Sequence, residues 1–257
     1  MRSARARLGE LTTAELGADL DAGRPVIALL PVGSVEPHGP HLPLATDTII
    51  SEAAAARAAS MLGAHDLTAF VAPAVPYGVT DFAAGFAGAI SVSAEALGAF
   101  LRAVVRGYLD AGFSHVCLVN NHLEPGHDAA VRAAIADLAP GEASVACPLT
   151  RRWGRTLSAE FKSGACHAGE YETSLVLASA PEMVDWPAAA TLPDVAVSLS
   201  DGIRAGKHSF RAMGLDDAYT GAPARATAED GEEMLDRLAT MIATEVLEAL
   251  AAKGLSG

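Results

Sequence analysis

Histidine and carboxylate side chains are concentrated in three short segments of this 257-residue sequence. The segments read PVGSVEPHGPHLPLATD, NNHLEPGHD and CHAGEYETS, and they contain five of the eight histidines. Their candidate side chains are Glu36, His38, His41, Asp47, His122, Glu124, His127, Asp128, His167, Glu170 and Glu172. The prolines and glycines of the same segments indicate loops. Loops rich in histidine and carboxylate are typical of sites for divalent metal ions such as zinc.

The spacing within the first two segments favours paired ligands. Glu36 and His38 are two residues apart, as are His122 and Glu124, and residues so spaced point the same way in extended backbone. Asp47 has two carboxylate oxygens and could bridge a pair of cations about 3.5–4 Å apart, as two-metal hydrolases require. Five ligands around two ions leave positions open for water, which is typical of a catalytic site.

Each of these residues also has a plainer interpretation, because a single histidine is more often packed or solvated than bound to metal. His41 is interpreted as hydrogen-bonding within a proline-rich turn and His127 as a cap of the following helix, and neither is placed in the metal shell. A thiol nucleophile at Cys166 is disfavoured, since adjacent residues such as Cys166 and His167 rarely face each other. Ser34 lacks the Gly-x-Ser-x-Gly pattern of a serine hydrolase, and no phosphate- or dinucleotide-binding glycine pattern occurs.

Short apolar runs alternate with helical periodicity along the chain. The apolar runs predict strands at 26–30, 67–75, 115–119 and 144–148. Helical spacing and stop signals predict helices at 48–62, 93–109, 128–138, 170–180 and 229–252. Residues 181–228 lack periodicity and are interpreted as loops and short elements packed on the same core.

This alternation predicts an α/β fold with a mainly parallel sheet covered by helices on both faces, in one domain over residues 1–257. Ligands of such sheets bind beyond the carboxyl ends of the strands. The candidate residues obey that rule: Glu36 and His38 follow the first strand, Thr80 the second, and His122 and Glu124 the third. We therefore expect the segments to meet at one edge of the sheet.

Composition narrows the class of protein. The formal net charge of -13 disfavours binding to nucleic acid or to an anionic membrane surface. Three cysteines without a CxxC pair indicate reduced thiols rather than a disulfide framework. The basic start, MRSARARLGE, is not followed by the apolar core of a secretory signal, and no apolar run approaches the roughly 20 residues of a membrane span. A cytoplasmic protein is expected.

The three segments together resemble the creatininase (creatinine amidohydrolase) family. PVGSVEPHGPHLPLATD is similar to that family's Gly-Ser-x-Glu-x-His-Gly-x-His-Leu-Pro-x-x-x-Asp signature, and VNNHLEPGHD and HAGEYETSLVL follow in the family's order and spacing. The segment PYGVTDFAAGFAGAIS resembles its substrate-side loop. The resemblance covers roughly residues 8–185. It implies a three-layer α/β/α sandwich that hydrolyses a C–N bond in a small amide or lactam.

The resemblance also implies roles for individual residues. Glu36, Asp47 and His122 would hold one metal ion, and His38, Asp47 and Glu124 the other. His167 would be the catalytic histidine outside the metal shell, acting with Glu124, and Glu172 would support the site from behind. Members use zinc, manganese or iron, of which zinc is the first expectation, and they are often hexamers.

Departures from the family pattern bear on the substrate. Residues 162–166, KSGAC, lack the tryptophan that creatininase itself places there, and Leu123 replaces a tyrosine, so creatinine is predicted to be a poor substrate. Thr80, Leu123 and Trp153 are the expected substrate contacts, with Trp153 as one aromatic wall. The alternatives are a peptidase or deformylase of the same superfamily, such as a mycofactocin-type peptidase, or a metal- or ligand-binding protein without catalysis.

Overall fold

A parallel β-sheet of four strands forms the centre of the molecule, in the spatial order β2-β1-β3-β4. The structure is a computed structural model that describes residues 7–255, so the basic start of the chain, residues 1–6, lies outside the described residues. The strands are β1 (Val26–Val32), β2 (Thr68–Val71), β3 (His115–Asn120) and β4 (Ala143–Ala146). Leu29, in the middle of β1, pairs with Val71 on one side and Cys117 on the other.

Helices connect the strands and cover the sheet. They are α1 (Thr13–Leu20), α2 (Thr46–Leu62), α3 (Ala94–Asp110), α4 (Pro125–Ala133), α5 (Arg151–Gly154), α6 (Ala159–Ser163), α7 (Glu170–Ser179), α8 (Trp186–Ala189), α9 (Leu199–Arg204) and α10 (Ala228–Ala252). Short 3-10 turns lie at Leu8–Glu10, Gly63–His65, Asp81–Ala83, Pro181–Met183, Arg211–Met213 and Pro223–Arg225.

Alternate residues of the buried strands face two different helical layers. Ile27 and Leu29 of β1 pack in a core formed with α2, α7 and α10. Ala28 and Leu30 point to the opposite face and pack with α3 and α4. Because both faces are covered, β1 is buried along its whole length and reads as a continuous apolar run. The three-layer α/β/α sandwich with a parallel sheet is confirmed.

The elements agree with the sequence pattern except where they are short. Each predicted strand is present, and the apolar stripe from Met234 to Leu250 is the buried face of α10. The region 181–228 holds only short helices and turns, as expected. The fourth helix begins at Pro125 and ends at Ala133, earlier than predicted, because proline fits the first helical turn. None of the helices among residues 7–255 has the length and apolar character needed to cross a lipid bilayer.

Candidate metal centre

The site is assembled at the carboxyl edge of the sheet. Glu36 and His38 lie in the loop after β1, and His122 lies directly after β3. Asp47 lies in the first turn of α2, where the partial positive charge of a helix N-terminus favours a carboxylate. Gly33, just past the end of β1, allows this approach: a Cβ there would lie 3.0 Å from the Asp47 Cβ and 2.7 Å from Thr48 Oγ1.

Glu36, Asp47 and His122 form one buried group of possible ligands. His122 Nδ1 lies 3.2 Å from Glu36 Oε1 and 3.1 Å from Asp47 Oδ2. The other ring nitrogen, Nε2, donates to the backbone oxygen of Val79 at 2.7 Å. A carbonyl oxygen only accepts, so a neutral His122 carries its proton on Nε2 and presents the lone pair of Nδ1 to the two carboxylates.

His38, Asp47 and Glu172 form a second group that shares Asp47 with the first. His38 Nε2 lies 3.3 Å from Asp47 Oδ1 and 3.6 Å from Glu172 Oε2. His38 Nδ1 lies 3.1 Å from the backbone oxygen of Glu36, which fixes a neutral ring with its proton on Nδ1. Within residues 7–255, His38 Nε2 has no hydrogen-bond partner although it is fully buried.

These contacts fit bound cations. Buried lone pairs that face carboxylate oxygens at 3.1–3.6 Å, as those of His38 and His122 do, repel one another unless a proton or a metal ion lies between them. The donors are imidazole nitrogen and carboxylate oxygen, which suit zinc, manganese and iron. Asp47 offers Oδ1 to His38 and Oδ2 to His122, so its position matches a carboxylate that bridges two ions.

The pKa values of the clustered side chains also indicate that positive charge is stabilised at this site. Burial would lower the pKa of His38, but Asp47, Glu172 and Glu36 raise it to about 10. Burial would raise the pKa of Glu36, but His122 lowers it to about 2. The pKa of Asp47 lies well below its ordinary value because His122 and His38 outweigh its burial. Glu36 and Asp47 are therefore held ionised and ready to bind cations, whereas burial raises the pKa of Glu172 to about 8.

His167 lies at the junction of the two groups. Its Nδ1 is 3.8 Å from Glu36 Oε1 and 4.0 Å from Glu172 Oε2, and its Nε2 donates to the backbone oxygen of Pro37 at 3.0 Å. The ring stacks on Phe210 with centroids 4.4 Å apart. Burial, assisted by the positive charge of His38, lowers the pKa of His167 to about 4. His167 also forms a third buried group of possible ligands with Glu36 and His38.

The two glutamates expected near the second ion occupy different surroundings. Glu124 belongs to none of the three ligand groups among the described residues; its carboxylate accepts the N–H groups of Asp81 and Phe82 at 3.1 and 3.2 Å. Burial raises its pKa to about 7. Glu172, expected behind the site, instead faces His38 directly and accepts the Ala168 N–H at 2.7 Å. Its contact with His38 is not apparent from its place in the sequence.

Of the three expected substrate contacts, only Leu123 lines the cavity over the cluster. Thr80 is buried behind it and donates its hydroxyl to Glu36 Oε2, so it orients a candidate ligand. Trp153 is turned towards α10, where its indole N–H donates to Glu245 at 2.6 Å. Thr80 and Trp153, which were expected to contact the substrate, are thus not among the residues that line the cavity.

The cavity above the cluster has a volume of about 490 Å³. Its buried base contains Glu36, Asp47, His122 and His167. Its wall is mostly apolar and is contributed by Phe82, Leu123, Pro125, Pro148, Leu149, Phe161, Leu199, Ile203 and Phe210. A concave apolar pocket with a few converging polar groups is the usual form of a small-molecule site, and this volume lies within the common range of about 300–1,000 Å³.

Two side chains that the sequence left outside the site support it from behind. Ser34 donates its hydroxyl to Asp47 Oδ2 at 2.9 Å. His127 is not a helix cap: its ring lies edge-on to His122 with centroids 4.6 Å apart, and its Nδ1 accepts the Val79 N–H. His41 contacts the hydroxyl of Thr173 in α7 rather than a group in its own turn.

Comparison with known proteins gives a consistent result. The sequence model of the creatinine amidohydrolase (creatininase) family matches residues 9–246. The mycofactocin precursor peptide peptidase of Mycobacterium ulcerans is 35% identical over 92% of this chain and 91% of its own. The creatinine amidohydrolase of Pseudomonas putida is 29% identical over 69% of this chain and 73% of its own.

Solved structures of similar fold agree over nearly the whole chain. A creatininase structure described as the Mn form has a TM-score of 0.73 and 25% identity, and the match covers 95% of this chain and 98% of the other. A glutamate-to-glutamine mutant of creatininase in a Zn–Zn form has a TM-score of 0.70 and 24% identity, with 96% and 98% covered. Those proteins thus carry manganese or zinc within this fold.

Proposed function

This chain belongs to the creatininase family of metal-dependent amidohydrolases, and from that premise we propose that it hydrolyses a C–N bond with two divalent metal ions, zinc in the first instance, held around Asp47. The observation that carries the proposal is the shared carboxylate: Asp47 faces His38 with one oxygen and His122 with the other. Manganese or iron would suit the same ligands.

We assign one ion to Glu36, Asp47 and His122 and the other to His38 and Asp47 with a further carboxylate. Glu124 is the proposed third ligand of the second ion, in keeping with the family pattern, and Glu172 supports His38 from 3.6 Å. Since Glu172 lies nearer to His38 than Glu124 does, metal analysis of Glu124→Ala and Glu172→Ala protein decides between them. The variant that retains one ion instead of two identifies the ligand.

Bound divalent ions would supply a hydroxide at neutral pH and polarise the carbonyl of the substrate. The chain's own residues then have distinct tasks. Ser34 and Thr80 hold the carboxylates of Asp47 and Glu36 in place. His167 lines the cavity with the lone pair of its Nδ1 directed at the carboxylates. It would accept the proton released by the attacking water and pass it to the departing nitrogen, because an amine leaves only when protonated. Leu123 and Phe210 form part of the wall that excludes water.

A peptidase is the second candidate function. The 35% identical relative is named as a precursor peptide peptidase, and the cavity volume of about 490 Å³ accommodates a substrate longer than a single small ring. A small amide or lactam would leave much of the apolar wall uncovered. Assays of the metal-loaded protein against lactams, formamides and short peptides separate these substrate classes.

Metal content is the direct test. Purified protein should contain about two divalent ions per chain, and a chelator should abolish hydrolysis, with recovery on addition of zinc or manganese. Elemental analysis showing no bound metal, with hydrolysis intact after chelation, would overturn the assignment. Retention of metal without any hydrolysis across the substrate panel would favour a binding protein instead.

We further propose that the chain acts as one domain in a cytoplasmic homo-oligomer, a hexamer in keeping with its family. All three cysteines are unpaired, and Cys117 and Cys147 are buried, which suits a reducing compartment. Exposed apolar side chains such as Phe100 and Ile90 are available for subunit contacts. Light scattering on the purified protein measures the assembly directly.

A further inference from the structure

The cavity over the metal centre has charges of opposite sign at its two ends. Its only carboxylates among the described residues belong to the buried base: Glu36, Asp47, Glu124 and Glu172. Four cations also line it, and all four are exposed: Arg151, Arg155, Lys162 and Arg204. The buried acids therefore face the metal centre, whereas the cations surround the entrance.

Three of these cations have no acidic partner in the protein. Within residues 7–255, no carboxylate oxygen lies within 4.0 Å of the charged groups of Arg151, Arg155 or Lys162. Arg204, by contrast, is paired with Asp201. The neighbouring Arg152, which does not line the cavity, is paired with Glu248 at 2.7 Å. Unpaired cations are thus a feature of the entrance and not of the whole helix.

The positions of Arg151 and Arg155 allow them to act together. Arg151 begins α5 and Arg155 is its C-cap, so the two side chains are four residues apart on one side of a helical turn. Lys162, on α6, lines the same cavity from the next helix. The chain has 18 basic and 31 acidic residues, so its net charge is negative. The three unpaired cations around the opening therefore have the opposite sign to the net charge of the chain. They create a local attraction for anions.

We propose that the substrate is an amide with a carboxylate-bearing arm, such as an N-acyl amino acid or a peptide segment. Its carboxylate binds Arg151, Arg155 and Lys162 at the entrance while its scissile C–N bond lies over the metal centre. Guanidinium groups recognise carboxylates through paired hydrogen bonds, which gives the arm a fixed direction. The apolar wall between the two ends, which includes Phe161 and Leu199, covers the middle of the arm. This inference rests on the proposed function, because the metal centre defines the reactive end.

The test uses probes anchored at the metal centre, so that it does not depend on the unknown substrate. Alkyl hydroxamates with a chain of three to eight methylenes and a terminal carboxylate are titrated into the metal-loaded protein by calorimetry, beside the matching terminal carboxamides. We expect the carboxylates of suitable length to bind about 3- to 30-fold more tightly, since each exposed ion pair contributes modestly. The preference should shrink as salt screens the charges.

Matched variants locate the effect. Arg151→Gln/Arg155→Gln should lose most of the carboxylate preference and keep its affinity for the carboxamides. Arg24→Gln/Arg102→Gln removes the same charge away from the cavity and should keep the preference. Equal binding of the two probe series at every length, or a preference that survives in Arg151→Gln/Arg155→Gln, would overturn the inference. Failure of the proposed function gives a different result, in which neither series binds and no metal is present.

Discussion

Asp47 and His167 lie in the same buried cluster but contact it in different ways. Asp47 contacts His38 and His122 with separate oxygens, at 3.3 and 3.1 Å. His167 reaches the carboxylates only at 3.8 and 4.0 Å and is held by a backbone oxygen. The first geometry matches the proposed role of Asp47 as a shared ligand, and the second matches the proposed role of His167 in proton transfer.

Substitution of these two residues should therefore separate metal binding from turnover. Asp47→Ala should lose both ions, because both depend on that carboxylate. His167→Ala should keep its metals and lose about 10²–10⁴-fold in turnover, the usual effect of a positioned acid–base group. Elemental analysis and kcat on the same preparations provide the comparison. Normal turnover of His167→Ala, or loss of its metals, would contradict the proton-transfer role.

Sequence reasoning located most of the site at this scale because its residues lie in short motifs beside strand ends. Glu36, His38, Asp47 and His122 were all found in that way, and the structure brings them together. The position of Glu172 opposite His38 depends on how α7 packs on the sheet, which no local pattern encodes. Trp153 was misplaced for a similar reason, since only the tertiary contact with Glu245 shows which way its ring turns.

Elements were predictable in proportion to their length. Buried parallel strands are continuous apolar runs, and α10 repeats its apolar residues over 25 residues, so both have clear signals. Helices α5 and α6 have four and five residues, too few to show a period, and α1 has eight residues with none buried, so these three helices are not predicted by the sequence pattern. Helices α5 and α6 carry the cationic entrance of the cavity, so the least predictable elements bear on specificity.

The contact between α10 and α7 gives a prediction about packing. A Cβ on Gly231 in α10 would lie 1.9 Å from the backbone oxygen of Ser174 in α7. Gly231→Ala should therefore destabilise the protein by about 1–3 kcal/mol through overpacking, in spite of alanine's higher helix propensity. A Cβ on Gly107 in α3 would meet no atom within 4 Å, so Gly107→Ala should be neutral or stabilising by up to about 1 kcal/mol. Urea unfolding of both variants tests the pair, and equal effects would contradict the packing argument.

His115 at the start of β3 gives a prediction about pH. Its ring is buried between the Gly141 backbone oxygen and Ser144 Oγ, and burial lowers its pKa to about 4. The unfolded chain, with a histidine pKa of about 6.5, binds the proton more readily. Stability is therefore full above about pH 6.5 and falls as the pH drops towards 4, by up to roughly 3 kcal/mol from this group.

The variant His115→Gln should show a flatter stability profile in this interval. It loses some stability at neutral pH, where the buried ring packs well, but it has no proton to take up in acid. Chemical unfolding of both proteins at pH 7, 6, 5 and 4.5 gives the difference. An unchanged slope between pH 6.5 and 4.5 would show that His115 does not contribute to acid sensitivity. His115 lies outside the metal cluster, so any loss of metal in acid affects both proteins alike and cancels in the comparison.

The substrate site is a property of the whole molecule, because its parts come from distant segments. The base comes from residues 36–47, 122 and 167–172, the entrance from residues 151–162, and further wall from Phe82, Leu199 and Phe210. These parts follow all four strands of the sheet, and residues 151–172, Leu199 and Phe210 all come after β4. Sequence motifs therefore indicate the type of reaction. The size of the cavity and the positive charge at its entrance are seen only in the folded chain.

This cavity leads us to expect that creatinine is a poor substrate. Its volume of about 490 Å³ lies within the range of sites for drug-sized ligands, so a single flat ring would leave part of the apolar wall uncovered. Leu123 lines the wall beside His122, where an aromatic ring would add about 0.5–1.5 kcal/mol by stacking on such a substrate. Two missing aromatic contacts of that size, one at Leu123 and one within residues 162–166, weaken the binding of creatinine by about ten- to a hundredfold.

The proposed metal ligands and His167 are unaffected by these two changes, so hydrolysis itself should persist with a longer amide. Steady-state kinetics on fully metallated protein, with creatinine and a panel of N-acyl amino acids and short peptides, measures the difference. A kcat/KM for creatinine within the ordinary enzymatic range of about 10⁴–10⁸ M⁻¹s⁻¹ would show that neither the volume nor the absent aromatic rings determine specificity.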